Sequence, residues 1–451
     1  MPPSPKFKES GNRPTALTWG LAIVTILGLG LAGLAGLLYL RGVLRVESDY
    51  GIGNVPPVDD PNFDLILKGL TNSTATTGQL MGFWDEVDDI YAARLAAIAE
   101  AEQLIQYETY FMTPGRRADA FAEAIVDRAL TGVRVQLLFD HHGTEAMPEE
   151  YWEQLRNAGI EVQFFREPNW RAPMEYNSRT HRKLLLIDGQ RVYIGGAGIS
   201  DYWDGIEFDH DTAPWLDFEL AYEGEVVNLL QGKFLRNWAY AGGQINLDRD
   251  AQPVQGRAEA PPAETPQTET PLYITDDTSS LNESAIRMLM QISMLTAQQR
   301  LWIGSPYFVP DGNTTRALIK AHENGADVQV LTMSAATDKR MVHLASRELY
   351  GPLLQAGIPI CEYQPSMMHA KFLLVDDAWV STGSANFDPR SYFHNDELNV
   401  SGVYPALAQE VEQFFISALP DSQCLTYDDW QNRPRTEVLR GRAALLLKNL
   451  F

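Results

Sequence analysis

Two short segments of the chain carry the same reactive side chains at the same spacing. Each has a histidine, a lysine two positions later and an aspartate seven positions after the histidine: His181, Lys183 and Asp188, and His369, Lys371 and Asp376. Each segment leads into an apolar run, LLLI or FLLV, that predicts a buried strand. Side chains two positions apart share one face of a strand, so histidine and lysine are expected to point toward a common ligand. The aspartates, at an odd offset, are expected to support the site from the opposite face.

A single histidine and lysine at the start of a strand most often only form the edge of that strand and have no functional role. Two copies with equal spacing favour a shared site. Two ammonium groups can neutralise a phosphate. One neutral imidazole can attack phosphorus to give a phosphohistidine, and a second, protonated imidazole can donate a proton to the leaving oxygen. We therefore predict phosphoryl chemistry without a cofactor and without a metal, since no spacing of potential ligands suggests a metal site.

The sequences around the two motifs are also alike. GVRVQLLFD at 132–140 matches GADVQVLTM at 325–333, and AGIEVQFF at 158–165 matches AGIPICEY at 356–363. Within each half, short apolar runs rich in β-branched residues alternate with helical patterns. These repeats predict an α/β fold made of two similar lobes, each a mixed sheet flanked by helices.

The predicted domain boundaries follow changes in composition along the chain, such as the Pro-, Ala-, Glu- and Thr-rich stretch between the lobes. They give an N-terminal tail of cytoplasmic type (1–15), a transmembrane helix (16–40), a juxtamembrane linker (41–75), a first lobe (76–249), a linker (250–271), a second lobe (272–420) and a C-terminal tail (421–451). The tail is predicted to hold a basic amphipathic helix lying on anionic lipid, and a helix packed on the fold is the alternative.

Residues 16–40 contain no charged side chain. At about 1.5 Å per residue, this helix would cross a hydrocarbon core of about 30 Å. A cleaved signal peptide is the alternative, but its apolar region would be shorter and no small-residue cleavage site follows Tyr39. We predict a single-pass membrane protein, and a bias of one positive charge slightly favours a cytoplasmic N-terminus.

The composition of the 451 residues excludes whole-chain disorder, since 45% are hydrophobic and 21% charged. The net charge of −23 opposes binding to a polyanion, so no nucleic-acid partner is expected. Cys361 and Cys424 can form one disulfide or none, and are too few for a disulfide framework or a four-thiolate zinc site.

The doubled His-x-Lys-x4-Asp motif resembles that of the phospholipase D superfamily, and within it the chain looks most like bacterial cardiolipin synthases. Further resemblance lies in stretches between about Gln103 and Leu419: WLDFEL (215–220), FLRNW (234–238), SPYFVPD (305–311), EYQPSMMHAK (362–371) and GSANFDPRS (383–391). One departure is Gly198, which stands where the first half of the family usually has asparagine.

The resemblance implies a role for individual residues. His181 would be the nucleophile and His369 the general acid and base, although the chain alone leaves these two roles open. Lys183 and Lys371 would hold the phosphate, and Ser384 and Asn386 would add hydrogen bonds to its oxygens. Two acids would orient the imidazoles: Glu397 is expected to bond His369, and Asp217 is expected to bond His181.

The function implied by the resemblance is a membrane-anchored phosphatidyltransferase of a bacterial cell membrane. It would join two phosphatidylglycerol molecules into cardiolipin and release glycerol, so its partners would be phospholipid and membrane. A hydrolase of phospholipids or other phosphodiesters from the same superfamily is the alternative, because motifs do not show whether water or an alcohol accepts the phosphoryl group. A non-catalytic scaffold is disfavoured by the two intact motifs.

Overall fold

The computed structural model describes residues 16–40, 50–171, 177–206, 211–250, 269–277 and 284–448. Its helices are α1 (Ala16–Leu40), α2 (Pro61–Thr71), α3 (Val87–Glu100), α4 (Arg116–Leu130), α5 (Glu149–Asn157), α6 (Glu225–Tyr240), α7 (Leu247–Asp250), α8 (Ala285–Leu295), α9 (Gly312–Glu323), α10 (Arg340–Leu349), α11 (Gly351–Gln355), α12 (Pro389–Phe393), α13 (Pro405–Ala418), α14 (Tyr427–Gln431) and α15 (Arg435–Leu445).

The strands are β1 (Thr74–Trp84), β2 (Leu104–Thr109), β3 (Arg134–Asp140), β4 (Glu161–Phe165), β5 (Leu184–Ile187), β6 (Arg191–Gly195), β7 (Glu219–Glu223), β8 (Thr270–Asp277), β9 (Arg300–Gly304), β10 (Asp327–Met333), β11 (Ile360–Tyr363), β12 (Phe372–Val375), β13 (Trp379–Gly383), β14 (Glu397–Val403) and β15 (Ser422–Leu425).

All the strands belong to one sheet, in the order β15-β11-β10-β9-β12-β13-β14-β8-β1-β7-β6-β5-β2-β3-β4. The order within the first half repeats in the second: β2-β3-β4 and β9-β10-β11 are parallel runs, and each pairs through its first strand with an antiparallel strand, β5 or β12. The predicted duplicated α/β fold is confirmed. The halves join where β1 pairs antiparallel with β8, so the sheet is continuous from one lobe to the other.

The predicted strands LLLI and FLLV are β5 and β12, and every residue of both is buried. Their short apolar sequences suit central strands covered on both faces. A core between the lobes includes Phe218 of the first half, whose ring lies 6.0 Å from that of Phe372 and 5.1 Å from that of Phe414. The lobes are therefore packed together by shared apolar contacts as well as by the continuous sheet.

Helix α1 belongs to an N-terminal unit, and the other described helices and strands form a second compact unit. At positions 23–36 of α1, where side chains are described, every residue is exposed. Taken over the described residues, none of the helices has the length and apolar character needed to traverse a bilayer. The predicted transmembrane helix is thus not confirmed.

The C-terminal segment is part of the second unit. Strand β15 pairs antiparallel with β11, and the disulfide between Cys361 and Cys424 links the two strands. Helix α15 packs on α10, where Arg347 forms an ion pair of 2.7 Å with Glu437. The C-terminal helix is thus packed on the fold, and its predicted contact with anionic lipid stays a prediction.

Asp188 and Asp376 directly follow β5 and β12 in left-handed backbone conformation, with φ of 54° and 52°. Aspartate tolerates this region better than most residues. The Asp188 carboxylate accepts hydrogen bonds from the backbone N–H groups of Gln103 at 2.8 Å and Leu104 at 2.7 Å. Asp376 accepts the equivalent bond from Gln299 at 2.7 Å. Each aspartate thus fixes the chain just before the next parallel strand.

We predict that Asp188→Ala lowers the free energy of unfolding by about 2–4 kcal/mol, because several backbone donors lose a charged acceptor. Urea unfolding followed by tryptophan fluorescence measures this change. Asp377→Ala is the matched control: its side chain is 83% exposed, and its removal should cost less than about 0.5 kcal/mol. Equal effects of the two substitutions would contradict the assigned structural role.

Candidate active site

The two histidine–lysine pairs lie in the short segments that lead into β5 and β12. All four side chains are buried, with exposed fractions of 8% for His181, 3% for Lys183, 6% for His369 and 3% for Lys371. In the first segment, the intervening side chains bond in other directions: Thr180 donates to Glu108 and Arg182 donates to Asp276. Histidine and lysine therefore share one face of the segment, as the spacing predicts.

The backbones of the two motifs interlock across the boundary between the lobes. The His181 N–H donates to the Asp396 carbonyl at 3.0 Å, and the Asp396 N–H donates back to the Arg179 carbonyl at 2.7 Å. In the second motif, the His369 N–H donates to the Leu216 carbonyl at 2.7 Å. Each motif is thus held against the residue that precedes the orienting acid of the other lobe.

The acids that orient the imidazoles are consequently exchanged between the lobes. Nδ1 of His181 lies 3.1 Å from Glu397 Oε2, and Nδ1 of His369 lies 3.0 Å from Asp217 Oδ2. The predicted pairing of Glu397 with His369 and of Asp217 with His181 is wrong. The interlocked backbones explain the difference, since they place each acid beside the histidine of the other lobe.

Both acids are ionised, although both are buried. Burial alone would raise the pKa of Glu397, but the His181 imidazole, the Lys183 charge and a hydrogen bond from Ser384 outweigh it and lower the pKa to about 2. Burial acts in the same way on Asp217, where bonds from His369 and Trp203 lower the pKa below its usual value. A carboxylate at Nδ1 favours the tautomer with the proton there, which leaves Nε2 with its lone pair.

Burial, together with the two lysines, keeps both imidazoles neutral. Burial lowers the pKa of His181 to about 4, with Lys183 and Lys371 acting in the same direction. Burial and the charge of Lys371 lower the pKa of His369 to about 3. Burial lowers the pKa of Lys183 to about 7 and of Lys371 to about 8, and the charge of Lys371 lowers that of Lys183 further. Because each lysine acts on the histidine of the other lobe, the four side chains form one electrostatic cluster.

Such a cluster suits a phosphodiester. The lysines supply positive charge for an anion, and two neutral imidazoles with ionised partners supply a nucleophile and a proton carrier. Within the described residues, no group of three His, Cys, Asp or Glu side chains is placed to hold a metal ion.

Comparison with known proteins places this geometry in a family. Residues 95–213 and 291–419 match the family described as "Cardiolipin synthase, PLD-like domain". Cardiolipin synthase A of Pseudomonas putida is 31% identical over 368 residues, which cover 80% of this chain and 72% of that protein. Cardiolipin synthase of Geobacillus kaustophilus is 30% identical over 363 residues, covering 80% and 70%. The chain belongs to the phospholipase D-like cardiolipin synthase family.

A solved structure supports the fold assignment. The crystal structure of phosphatidylserine synthase from Haemophilus influenzae aligns with a TM-score of 0.63 and 14% identity, covering 86% of this chain and 99% of that chain. Membership of the family confirms the resemblance inferred from the doubled motif.

The structure does not bring every predicted site residue to the centre. Asp188 and Asp376 lie one strand away from the histidines, at the far ends of β5 and β12, and bond backbone N–H groups there. A strand of four residues, at about 3.3 Å each, separates them from the lysines, so they lie outside the cluster of histidines and lysines, in keeping with the expectation that they support it. They position the strands that carry the site.

Ser384 contacts Glu397 and His181. Its hydroxyl donates to Glu397 at 2.5 Å, and its carbonyl lies 3.0 Å from Nδ1 of His181. It positions Glu397 and His181, and its predicted bond to phosphate stays a prediction. Asn386 is buried, and its Oδ1 has no hydrogen-bond partner among the described residues; its predicted bond to phosphate stays a prediction as well.

Aromatic contacts of the site escape sequence analysis. Tyr110 packs against His181 with ring centroids 5.4 Å apart, whereas Trp203 and Trp215 pack against His369 at 5.2 and 5.4 Å. The spacing of these residues in the sequence does not indicate that they contact the histidines. The doubled motif is therefore lined differently in the two lobes.

We predict that neither His181 nor His369 is protonated in the free protein above about pH 5, because burial and the lysines lower both pKa values. Nuclear magnetic resonance of histidine-labelled protein, with His181→Ala and His369→Ala to assign the signals, measures the titrations. An unfolded histidine titrates near pH 6.5, so stability should be lost progressively as the pH falls below about 6.5. Titration of either ring near pH 6.5 would contradict the buried cluster.

Proposed function

We propose that the protein is a phosphatidyltransferase of cardiolipin synthase type, which joins two phosphatidylglycerol molecules and releases glycerol. The observation that carries this proposal is the cluster of two imidazoles and two lysines from both lobes, each imidazole bonded to an ionised acid. The cardiolipin synthases of Pseudomonas putida and Geobacillus kaustophilus support this choice of substrate.

In the first step, Nε2 of His181 attacks the phosphorus of the donor phosphatidylglycerol. A nitrogen–phosphorus bond forms, the bond from phosphorus to the glycerol oxygen breaks, and that oxygen takes the proton from Nε2 of His369. The free site keeps His369 neutral, but a bound phosphodiester adds negative charge beside the lysines and raises the pKa of His369, which permits its protonation.

In the second step, the glycerol hydroxyl of another phosphatidylglycerol attacks the phosphatidyl-histidine. His369 accepts the hydroxyl proton, the new oxygen–phosphorus bond forms, and the nitrogen–phosphorus bond breaks to return the lone pair to His181. Glu397 and Asp217 stabilise the positive charge that the imidazoles carry in turn. Lys183, Lys371 and Asn386 hold the phosphoryl oxygens.

We also propose, from the sequence of residues 16–40, that this segment anchors the protein to the bacterial cell membrane, close to its lipid substrate. The uncharged sequence of residues 16–40 and the exposed apolar side chains at 23–36 support this role. Phospholipid and membrane would then be the partners of the protein.

We predict that His181→Ala and His369→Ala each abolish cardiolipin formation from isotope-labelled phosphatidylglycerol, because each removes one participant in both steps. Mass spectrometry of the lipid products measures this. The unsubstituted protein should yield cardiolipin and glycerol, and phosphatidic acid as its main product would instead establish a hydrolase.

A phosphatidyl ester of p-nitrophenol separates the roles of the two histidines. Nitrophenolate leaves without a proton, so His369→Ala should still release about one equivalent of nitrophenol in a rapid burst, and His181→Ala should release none. The opposite pattern would exchange the two roles, and the absence of a burst from both would argue against a phosphohistidine.

We predict that kcat/KM for a short-chain phosphatidylglycerol falls as the pH rises through about 7 to 8, the range in which Lys183 and Lys371 lose their protons in the free protein. A lysine is charged only below its pKa, so anion binding weakens with rising pH. Lys183→Arg should move this decline to higher pH, since a guanidinium stays charged. A profile unchanged up to about pH 9 would refute the assignment.

A further inference from the structure

A tyrosine and an aspartate meet where two neighbouring strands of the second lobe end. Tyr307 follows β9 and Asp338 follows β10, and these strands run parallel, so both residues lie at the same edge of the sheet. The Tyr307 hydroxyl donates to Asp338 Oδ1 at 2.8 Å. Because β12 runs antiparallel to β9, residues 369–371 enter β12 at this edge. The Tyr307–Asp338 pair is thus at the end of the sheet that holds the reaction centre, and carboxyl ends of parallel strands are where α/β sheets bind ligands.

The ring of Tyr307 lies on the His369 side of the reaction centre. It is partly buried and packs against a cluster of apolar side chains that includes Trp203 and Trp215. These two indole rings are the ones that pack on His369. The hydroxyl of Tyr307 therefore directs Asp338 toward the imidazole that carries the proton in the proposed reaction.

The Tyr307 hydroxyl has no counterpart in the first lobe. Thr113 and Val309 donate equivalent backbone bonds to the last residues of the repeated segments GGAGI and GSANF. Two positions earlier, Phe111 therefore occupies the place that Tyr307 takes in the second lobe, and phenylalanine cannot hold a carboxylate. This arrangement exists only beside His369, so it suits a ligand group that lies on that side alone.

The Asp338 carboxylate lines a cleft. Its side chain is exposed to solvent, yet desolvation by the surrounding protein raises its pKa against the charges of Lys339 and Lys371. Tyr110, across the boundary between the lobes, is also partly exposed; desolvation raises its pKa to about 12, and the charge of Asp338 adds to this increase. Since Tyr110 packs on His181, the cleft opens over the reaction centre.

The Asp338 carboxylate can accept hydrogen bonds from a ligand. An ionised carboxylate has about four acceptor positions. The hydroxyls of Tyr307, at 2.8 Å, and Thr337, at 3.4 Å, leave some of these positions for other donors. An ammonium ligand is disfavoured, because Lys339 and Lys371 already place positive charge near this carboxylate. The site therefore suits a neutral hydroxyl group beside a phosphate that Lys371 holds.

The proposed reaction brings such a hydroxyl to His369 twice. The glycerol that leaves the donor and the glycerol of the attacking acceptor each place a primary oxygen at phosphorus, and each carries a hydroxyl on its central carbon. We propose that Asp338, held by Tyr307, accepts a hydrogen bond from this central hydroxyl and so selects glycerol as the headgroup. This inference rests on the proposed function and names the part of the substrate that the second lobe recognises.

A competition between two small alcohols tests the role of Asp338. Full-length protein in mixed micelles of phosphatidylglycerol receives equal concentrations of deuterated glycerol and of 1,3-propanediol, which lacks the central hydroxyl. Both alcohols attack the same phosphatidyl-histidine, so the ratio of deuterated phosphatidylglycerol to phosphatidylpropanediol does not depend on the amount of active protein. Mass spectrometry should show glycerol favoured by about tenfold or more, the effect of one hydrogen bond to a charged group.

Substitutions at the Tyr307–Asp338 pair should change this ratio. Asp338→Ala should lower it by about tenfold, toward one. Asp338→Asn should retain part of the preference, because an amide oxygen still accepts a hydrogen bond. Tyr307→Phe should lower the ratio less than Asp338→Ala, since it only frees the carboxylate to move. Asp377→Asn is the matched control: its side chain is 83% exposed, and the ratio should stay unchanged.

The possible results separate this inference from the proposed function. An unchanged ratio in Asp338→Ala overturns the inference even if both products decrease, because a purely structural role lowers them in parallel. An effect of Asp338→Ala that appears only when ethanolamine is the competing alcohol would assign an ammonium site, and overturns it as well. Absence of cardiolipin and of both exchange products from the unsubstituted protein is failure of the proposed function instead.

Binding provides a readout independent of activity. Calorimetric titration of His181→Ala should give a Kd for dihexanoyl phosphatidylglycerol about tenfold lower than for the dihexanoyl phosphatidyl ester of 1,3-propanediol. Adding Asp338→Ala should remove this difference with unchanged circular dichroism. Equal Kd values for the two lipids in His181→Ala contradict a bond to the central hydroxyl, whether or not the chain forms cardiolipin.

Discussion

Two lysines that repel each other set the conditions for the rest of the structure. Lys183 and Lys371 are both buried, and burial lowers the pKa of each toward neutrality. The charge of Lys371 also lowers the pKa of Lys183. Leaving two such charges away from water is unfavourable unless opposite charge is close. Glu397 and Asp217 supply that charge, since each acts on both lysines and opposes the fall in their pKa values. In the free site, the charges of the two acids therefore offset those of the lysines, and the lysines remain available to bind an incoming phosphodiester.

The exchange of acids between the lobes makes this balance depend on the whole unit. If each acid bonded the histidine of its own lobe, either lobe could build half of the site alone. Here His181 depends on Glu397, and His369 depends on Asp217. The backbone bonds at Asp396 and Leu216 and the core around Phe218 must form before either imidazole gains its partner. Catalytic competence is thus coupled to docking of the lobes.

The sequence predicts those features that depend on local pattern. β5 and β12 are short buried strands whose apolar residues are contiguous, and the paired histidines and lysines follow from a spacing of two. Lobe similarity follows from the repeated segments. The pairing of acids does not, because Glu397 and Asp217 are each more than 150 positions from their histidines and only the docking of the lobes decides between them. Asp188 was predicted on the opposite face of the strand, but a turn of left-handed backbone ends that regularity.

Duplication alone would give two equivalent halves, whereas the proposed reaction needs one imidazole to attack while the other carries a proton. The two halves differ in ways that supply this inequality. Ser384 donates to Glu397, but Gly196 stands at the corresponding place, where an added Cβ would lie 2.3 Å from an Asp217 oxygen, and Trp203 donates to that acid instead. Burial of His369 against two indole rings also suits a group whose protonation is governed by the bound anion rather than by solvent. The symmetry of the backbone brings the four groups together, and the substitutions that break it allow the two histidines different roles.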